Sequence, residues 1–182
     1  MKKIYFYAIA IIIFLFSFLL DNPVASFFVN NRVAFLDSVS LLIHHVEGYM
    51  LFAFMLVILF AFKQKKKILP LLLTFVLYLG TTQFLKIVTA RSRPFTKFEF
   101  NSLGETDLTK SFPSGHTTAT ASMLRFFEFN NALFYIWIFI TILVMFSRIY
   151  LGMHYLSDVI AGFILGYAIS DFSIFIVKKL GK

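Results

Sequence analysis

Three short groups of polar residues stand out in a chain whose composition is 59% hydrophobic. They occupy residues 86–94, 111–116 and 147–158. The third group contains His154 and Asp158, which are four residues apart and therefore lie on one face of a helix. A carboxylate bonded to one ring nitrogen of a histidine fixes the tautomer and leaves the other nitrogen to act as a nucleophile or a base. This pair could therefore carry covalent or acid–base chemistry.

The second group has the composition of a helix start that can bind an anion. Ser114, Gly115 and His116 follow Pro113 in the chain. The first turn of a helix presents free N–H groups and the positive end of the helix dipole, and both attract phosphate. A glycine lets the backbone approach the anion closely. The same pattern also begins ordinary helices, so this group alone does not define a site.

Three basic residues could supply the positive charge that the transfer of a phosphoryl group requires. Lys86, Arg93 and Arg148 can bind phosphoryl oxygens and stabilise the charge that spreads over them during transfer. Two histidines allow a division of labour, in which one attacks and the other protonates the leaving oxygen. Taken singly, the cations could be anchors at a membrane interface and each histidine a packing residue. The prediction of a site depends on the three groups meeting.

Long apolar runs must position these groups. The mean hydropathy is +0.83, which is typical of a polytopic membrane protein. We predict an all-α membrane bundle of six spanning helices, forming a single domain of residues 1–182. The spans are expected at about 4–20, 48–62, 68–88, 114–129, 132–149 and 155–177, with one or two short interfacial helices in 21–47 and a tight turn at Asn130. The first span exceeds the ~7–15 apolar residues of a signal peptide and is predicted to be retained.

The charges are distributed unevenly between the two ends of these spans. The formal net charge is +8. The side that holds both termini has ten basic and two acidic residues, whereas the other side has seven of each. An excess of Lys and Arg marks the cytoplasmic side, so both termini are predicted to be cytoplasmic and the three polar groups to face outward. The basic charge is thus explained by topology rather than by nucleic-acid binding. The absence of cysteine excludes disulfides and thiolate metal sites.

The three groups resemble the signature of the type 2 phosphatidic acid phosphatase family, whose site is similar to that of vanadium haloperoxidases. The family pattern is Lys, six residues, Arg-Pro; then Pro-Ser-Gly-His; then Ser-Arg, five residues, His, three residues, Asp. Every position is present in this sequence, from Lys86 and Pro94 through Pro113 to Ser147 and Asp158. Haloperoxidase chemistry belongs to soluble proteins, so the resemblance implies the phosphatase branch.

The resemblance also implies a role for each residue of the pattern. His154 would form a phosphohistidine, Asp158 would orient it, and His116 would act as the general acid and then help to activate water. The remaining residues of the pattern would bind the phosphate: Lys86, Arg93, Ser114, Gly115 and Arg148. Neither a metal ion nor a cofactor is expected.

The substrate that the resemblance implies is a phosphorylated lipid. Undecaprenyl pyrophosphate, phosphatidylglycerol phosphate and the 1-phosphate of lipid A are the candidates. The alternative is a phosphotransferase that passes the phosphate to another lipid, and the residues do not separate the two. A non-enzymatic carrier is disfavoured because no catalytic position is replaced. The lipid, its tail and the oligomeric state stay open.

Three further patterns lie outside the signature. Gly162, Gly166 and Ser170 continue the four-residue spacing and predict a face that packs closely against another helix. Residues 44–47, which read His-His-Val-Glu, could be taken for a metal cluster, but no third ligand group accompanies them, and an interfacial helix is preferred. Most charged residues of the outer loop are expected to be solvated, although some could contact a lipid headgroup. They are Arg91, Lys97, Glu99, Glu105, Asp107 and Lys110.

Overall fold

The computed structural model describes residues 2–46, 48–98, 110–128 and 131–181, with only the backbone of residues 2, 3 and 48. Every regular element in these ranges is helical, which confirms the predicted all-α class. The helices are α1 (Lys2–Asn30), α2 (Ala34–His44), α3 (Gly48–Ala61), α4 (Ile68–Thr89), α5 (Pro94–Lys97), α6 (Gly115–Met123), α7 (Ala132–Tyr150) and α8 (Leu156–Leu180). Short 3₁₀ turns precede α4 at Lys65–Lys67 and follow α6 at Leu124–Phe126. The predictions for Glu47, Glu99, Glu105, Asp107 and Asn130 concern residues outside the described ranges.

Four helical segments of the described chain are long and apolar enough to cross a membrane. They are Ile4–Asn30, Lys65–Lys97, Ala132–Tyr150 and Leu156–Leu180. Helices α2 and α3 pass the same test only together, as a pair bent by 67°. Helix α6 has nine residues, or about 14 Å at ~1.5 Å per residue, against a hydrocarbon core of ~30 Å. The count of six spans therefore stays a prediction.

Helix α1 is longer than the predicted first span, because it continues through Pro23 to Asn30. Two contacts hold the added segment against the rest of the bundle. The Asp21 carboxylate accepts a hydrogen bond from the backbone N–H at the start of α8, at 2.8 Å. The ring of Phe28 packs edge-on against Phe146 and Tyr150 of α7, with centroids 5.6 and 5.7 Å apart. Helix α1 is thus fastened to the two helices that carry the third polar group.

Helix α6 lies at the centre of the bundle, where it contacts α3, α4, α7 and α8. Its side chains from residue 117 to 123 are all buried although most are polar. The hydroxyls of Thr118 and Thr120 donate to backbone carbonyls one turn earlier, at 2.8 and 3.0 Å, and the Trp137 indole donates to the carbonyl of Thr120 at 2.9 Å. These internal bonds satisfy the polar groups, so a helix too polar to face lipid can be buried among apolar neighbours.

The small-residue face of α8 packs directly against α6, as its spacing predicted. A Cβ added at Gly162 would lie 2.7 Å from the carbonyl oxygen of Ser114. A Cβ at Gly166 would collide with the carbonyl oxygen of Thr118. Only glycine permits this approach, which brings the start of α6 close to the start of α8.

The outward faces of the long helices are apolar. Large exposed side chains include Ile12 and Leu19 of α1, Val76 of α4, Phe139 of α7 and Phe175 of α8. A water-soluble protein does not expose apolar surface on this scale, whereas a lipid-facing bundle must. The protein is therefore an integral membrane protein.

Candidate active site

The three polar groups meet at one end of the bundle, in the loops that connect α4 to α6 and α7 to α8. The backbone N–H of Ser111 donates to the carbonyl of Arg91 at 2.8 Å, which ties the second group to the first. The backbone N–H of Ser114 donates to the carbonyl of Asp158 at 3.1 Å, which ties the second group to the third. The fold thus brings together residues that are up to about seventy positions apart in the chain.

His154 lies in the loop between α7 and α8, with only 2% of its surface exposed. Its Nδ1 is 2.6 Å from the carbonyl oxygen of Ser111. Because a carbonyl can only accept, Nδ1 carries the proton and Nε2 keeps its lone pair. Burial lowers the pKa of His154 well below its ordinary value, and the charges of Arg148, Arg93 and Lys86 lower it further. The imidazole is therefore neutral at neutral pH and can act as a nucleophile through Nε2.

Asp158 does not make the direct hydrogen bond to His154 that the sequence predicted. Its Oδ2 is 3.8 Å from Nδ1 of His154, beyond hydrogen-bond distance, because the Ser111 carbonyl occupies the donor direction of that nitrogen. The same oxygen instead accepts from the backbone N–H of Tyr155 at 2.8 Å, which caps α8. Asp158 thus fixes the backbone that follows His154, whereas the Ser111 carbonyl orients the imidazole ring.

The other oxygen of Asp158 belongs to an ionic group that we name the ion clamp, formed by Asp21, Arg91, Ser157 and Asp158, of which only Arg91 is partly exposed. The Arg91 guanidinium is 2.6 Å from Asp158 Oδ1 and 2.6 Å from Asp21 Oδ2. Ser157 donates its hydroxyl to Asp21 at 2.6 Å, and Arg91 stacks over the Tyr155 ring at 4.2 Å. The expectation of a solvated or headgroup-binding Arg91 is therefore wrong, because two carboxylates already occupy its guanidinium.

The predicted phosphate-binding cations lie near His154 and form what we name the cation cluster: Lys86, Arg93 and Arg148. Arg93 is 3% exposed and Arg148 is 1% exposed. All three are near enough to His154 to act on its charge. Three cations around one neutral imidazole provide the field that a doubly charged phosphate group requires.

Ser114 and Gly115 form the start of α6, as their types predicted. Ser114 is the N-cap, and its hydroxyl oxygen accepts from the Thr117 hydroxyl at 3.0 Å. Gly115 is the first helical residue and His116 the second. The N-terminus of α6, with the positive end of its helix dipole, therefore belongs to the same end of the bundle as His154.

A third histidine, which sequence reasoning assigned to a membrane-interface helix, also belongs to this site. His44 of α2 has its Nδ1 2.6 Å from Nη1 of Arg148. Its backbone carbonyl is 3.2 Å from Nε2 of His116, and the two imidazole rings stack with centroids 5.8 Å apart. The neighbouring His45 is exposed. Within the described residues, no three His, Asp or Glu side chains are grouped to hold a metal ion.

Two sequence signals could have located the residues that were missed. In α2, Ser40 and His44 are one turn apart and both buried, so they form a polar face turned towards protein rather than water. Asp21 is an acid next to a long apolar run, and a carboxylate in that position requires a partner inside the bundle. Both signals lie upstream of the three-part signature.

The apolar exterior and the buried arginines beside the histidines define a membrane-embedded protein with a polar, positively charged site at one end of its bundle. A family model described as the PAP2 superfamily matches residues 67–182. The chain belongs to this superfamily, which confirms the resemblance that its signature residues carry. Helices α1, α2 and α3, with Asp21 and His44, lie outside the matched residues.

Two curated proteins are similar in sequence. An undecaprenyl-diphosphatase of Sulfolobus acidocaldarius is 34% identical over 121 residues, which are 64% of this chain and 59% of that protein. A lipid A 4'-phosphatase of Porphyromonas gingivalis is 40% identical over 65 residues, 34% of this chain and 27% of that protein. The matches thus span about three fifths and about a quarter of these relatives.

Two solved structures are similar over most of their length. LpxE of Aquifex aeolicus superimposes with a TM-score of 0.75 at 27% identity, covering 86% of this chain and 95% of that one. A PAP2-type phosphatidylglycerolphosphate phosphatase of Bacillus subtilis superimposes with a TM-score of 0.61 at 25% identity, covering 96% and 94%. The same helical frame is therefore found in two solved proteins, one of which is named as a PAP2-type phosphatase.

Proposed function

We propose that this protein is a membrane lipid phosphatase that hydrolyses a phosphate monoester or a pyrophosphate on a lipid through a phosphohistidine. The observation that carries the proposal is the environment of His154. Its Nδ1 is committed to the Ser111 carbonyl, which leaves Nε2 as the nucleophile, and the cation cluster lies beside it. Three of the similar proteins are named as phosphatases: an undecaprenyl-diphosphatase, a lipid A 4'-phosphatase and a phosphatidylglycerolphosphate phosphatase, which supports the same reaction class here.

The reaction proceeds in two displacements. Nε2 of His154 attacks phosphorus, the bond between phosphorus and the lipid oxygen breaks, and His116 gives a proton to that oxygen. The cation cluster and the N-terminus of α6 stabilise the charge on the three peripheral oxygens. Water, deprotonated by His116, then attacks the phosphohistidine and releases inorganic phosphate and neutral His154. Every step uses side chains of this chain, and no cofactor is required.

One hydrogen bond of His116 supports an assignment of the nitrogen that exchanges the proton. Its Nε2–H donates to the carbonyl oxygen of His44, so the other ring nitrogen, Nδ1, gains and loses the catalytic proton. The carbonyl also disfavours rotation of the ring, which keeps Nδ1 in one orientation.

A phosphate-release panel tests this proposal. Purified protein in detergent is given undecaprenyl pyrophosphate, phosphatidylglycerol phosphate and lipid A 1-phosphate, each with and without EDTA. We expect release from at least one lipid, unaffected by EDTA and abolished in His154→Ala. Activity that EDTA removes and a divalent metal restores would contradict the mechanism. Phosphate transferred to an added lipid hydroxyl, with little free phosphate, would instead identify a phosphotransferase.

The charge asymmetry supports a site on the outer face of the cytoplasmic membrane, with both termini inside. The chain contains no cysteine, so a single Lys97→Cys substitution introduces a unique label. Lys97 is exposed and lies in α5, next to the site. In intact cells a membrane-impermeant thiol reagent should label this position. Labelling only after the membrane is opened would reverse the topology.

A further inference from the structure

Helix α2 contributes a side chain to the active site although it lies outside the family signature. His44 is the last residue of α2 and is 6% exposed, whereas the adjacent His45 is exposed. A polar side chain that is buried at the end of a membrane-embedded helix needs a specific partner. The partners of His44 are two residues of the proposed reaction.

The first partner is Arg148, whose Nη1 is 2.6 Å from Nδ1 of His44. A guanidinium has only donors, so Nδ1 accepts the bond and the imidazole proton is on Nε2. Because His44 is neutral in this tautomer, the bond fixes the direction of the guanidinium without cancelling its charge. Arg148 can therefore be held in place and still attract an anion.

The second partner is His116, whose Nε2–H donates to the backbone carbonyl of His44 at 3.2 Å. Carbonyls in the last turn of a helix have no partner within that helix and can accept a hydrogen bond from another element. The two rings also stack at an interplanar angle of 29°. One residue thus contacts both a phosphate-binding cation and the general acid.

The start of α2 is fastened to the same helix end as its last residue. The Tyr150 hydroxyl accepts from the backbone N–H of Val33 at 2.8 Å and donates to its carbonyl at 3.0 Å. Tyr150 and Arg148 are both in the last turn of α7. Two attachments, one at each end of α2, hold His44 at a defined distance from the site.

From this geometry we propose that His44 is a positioning residue of the active site. Through its imidazole it orients Arg148, and through its carbonyl it orients His116. The proposal rests on the function proposed for this site. It assigns to α2 a part in catalysis that the matched family region, residues 67–182, does not include.

Two amide substitutions separate orientation from packing. In His44→Asn the side-chain oxygen can occupy the place of Nδ1 and accept from Arg148, whereas in His44→Gln the amide lies nearer the place of Nε2. Both variants are polar, close in size and keep the backbone carbonyl. The matched pair His45→Asn and His45→Gln makes the same changes one residue away, at an exposed position.

The measurements are phosphate release and the affinity for orthovanadate, a phosphoryl mimic whose binding is followed by the rise in melting temperature. We expect His44→Gln to weaken vanadate binding and lower kcat/KM by ~10–100-fold, the effect of losing one hydrogen bond to a charged group, with kcat falling more than KM rises. His44→Asn should stay within ~3-fold of wild type on the same scale, and both His45 variants should be unchanged.

Equal vanadate affinity in His44→Asn and His44→Gln would overturn the proposal, whether both match wild type or both are weak, because a packing residue does not distinguish the two amides. Vanadate binding requires no turnover. A wild-type protein that binds vanadate but releases phosphate from none of the lipids would therefore overturn the proposed function. The vanadate affinities of His44→Asn and His44→Gln would still test whether His44 is a positioning residue.

Discussion

Arg148 and Arg91 lie at the same end of the bundle, but their partners are of opposite kinds. Arg148 is held by the neutral imidazole of His44, at 2.6 Å. Arg91 is held by two carboxylates, those of Asp21 and Asp158, each also at 2.6 Å. The bond to the neutral imidazole leaves the charge of Arg148 unchanged, whereas the two carboxylates cancel the charge of Arg91.

The difference indicates why only one of these arginines suits phosphate binding. A guanidinium between two carboxylates has little net field left for an anion, and its pairs stabilise the fold only as long as all members are present. A guanidinium held by a neutral acceptor attracts a phosphate strongly in a site that excludes water. We therefore interpret the cation cluster as functional and the ion clamp as structural.

The largest expected difference is in activity. Arg148→Gln should lower kcat/KM by ~10²–10³-fold, because a donor to the transferring phosphoryl group is lost. Arg91→Gln should lower kcat/KM by less than ~10-fold, since its guanidinium contacts carboxylates instead of substrate. Phosphate release per folded molecule, counted after size exclusion, is the measurement. Similar losses in both variants would show that the two arginines share one role.

The stability of the fold should change in the reverse order, with a loss in Arg91→Gln and little or no loss in Arg148→Gln. Arg91→Gln leaves Asp21 and Asp158 buried without their cation and should destabilise the fold by about 3 kcal/mol. Arg148→Gln removes one of three clustered cations and should leave the melting temperature unchanged or raise it. Thermal unfolding in detergent measures both.

The double variant Asp21→Asn with Arg91→Gln controls for a general effect of substitution at Arg91. If the ion clamp acts as a unit, the double variant should be more stable than the sum of the single changes by about 1–2 kcal/mol. Strict additivity would mean that Asp21 and Arg91 do not stabilise one another.

A smaller effect is expected in the pH dependence. The nucleophile must be neutral, and the pKa of His154 is lowered by burial and by the cation cluster, so activity should persist well below the pH at which an ordinary histidine is protonated. Lys86→Met removes one positive charge, which raises the pKa of His154 and moves the acid limb of kcat/KM to higher pH. Arg91→Gln should leave that limb in place.

The same substrate is used for all variants, so that its own titration is common to every curve. An acid limb that stays at the wild-type position in Lys86→Met would mean that Lys86 does not act on His154. An equal movement in Arg91→Gln would mean that the ion clamp does not neutralise Arg91.

The sequence predicted the parts of the site that lie within short spacings. The spacing from His154 to Asp158 placed both beside the start of α8, and the composition of residues 113–116 predicted the start of α6. The stripe of Gly162 and Gly166 predicted a close helix contact, and α6 is the helix that makes it. These features depend on the spacing of residues within one helix or turn, and that spacing can be read directly from the sequence.

Contacts between distant segments could not be read in the same way. Asp21 and Arg91 are seventy residues apart, and His44 and Arg148 are more than a hundred residues apart. Spacing within a helix carries no information about which helix lies opposite, so the partners of these groups depend on tertiary packing. The wrong bond predicted for Asp158 has the same cause, since Ser111 comes from another loop and takes its place.

The nucleophilic role of His154 is the central claim, and trapping the covalent intermediate tests it most directly. Purified protein is mixed with a phosphorylated lipid it hydrolyses, quenched in alkali within milliseconds, digested and examined by mass spectrometry. The mechanism predicts an acid-labile phosphate on the peptide that contains His154, formed at a rate no slower than turnover and missing in His154→Ala. Phosphate on a different residue, or a His154→Ala protein that turns over as fast as wild type, would contradict the account.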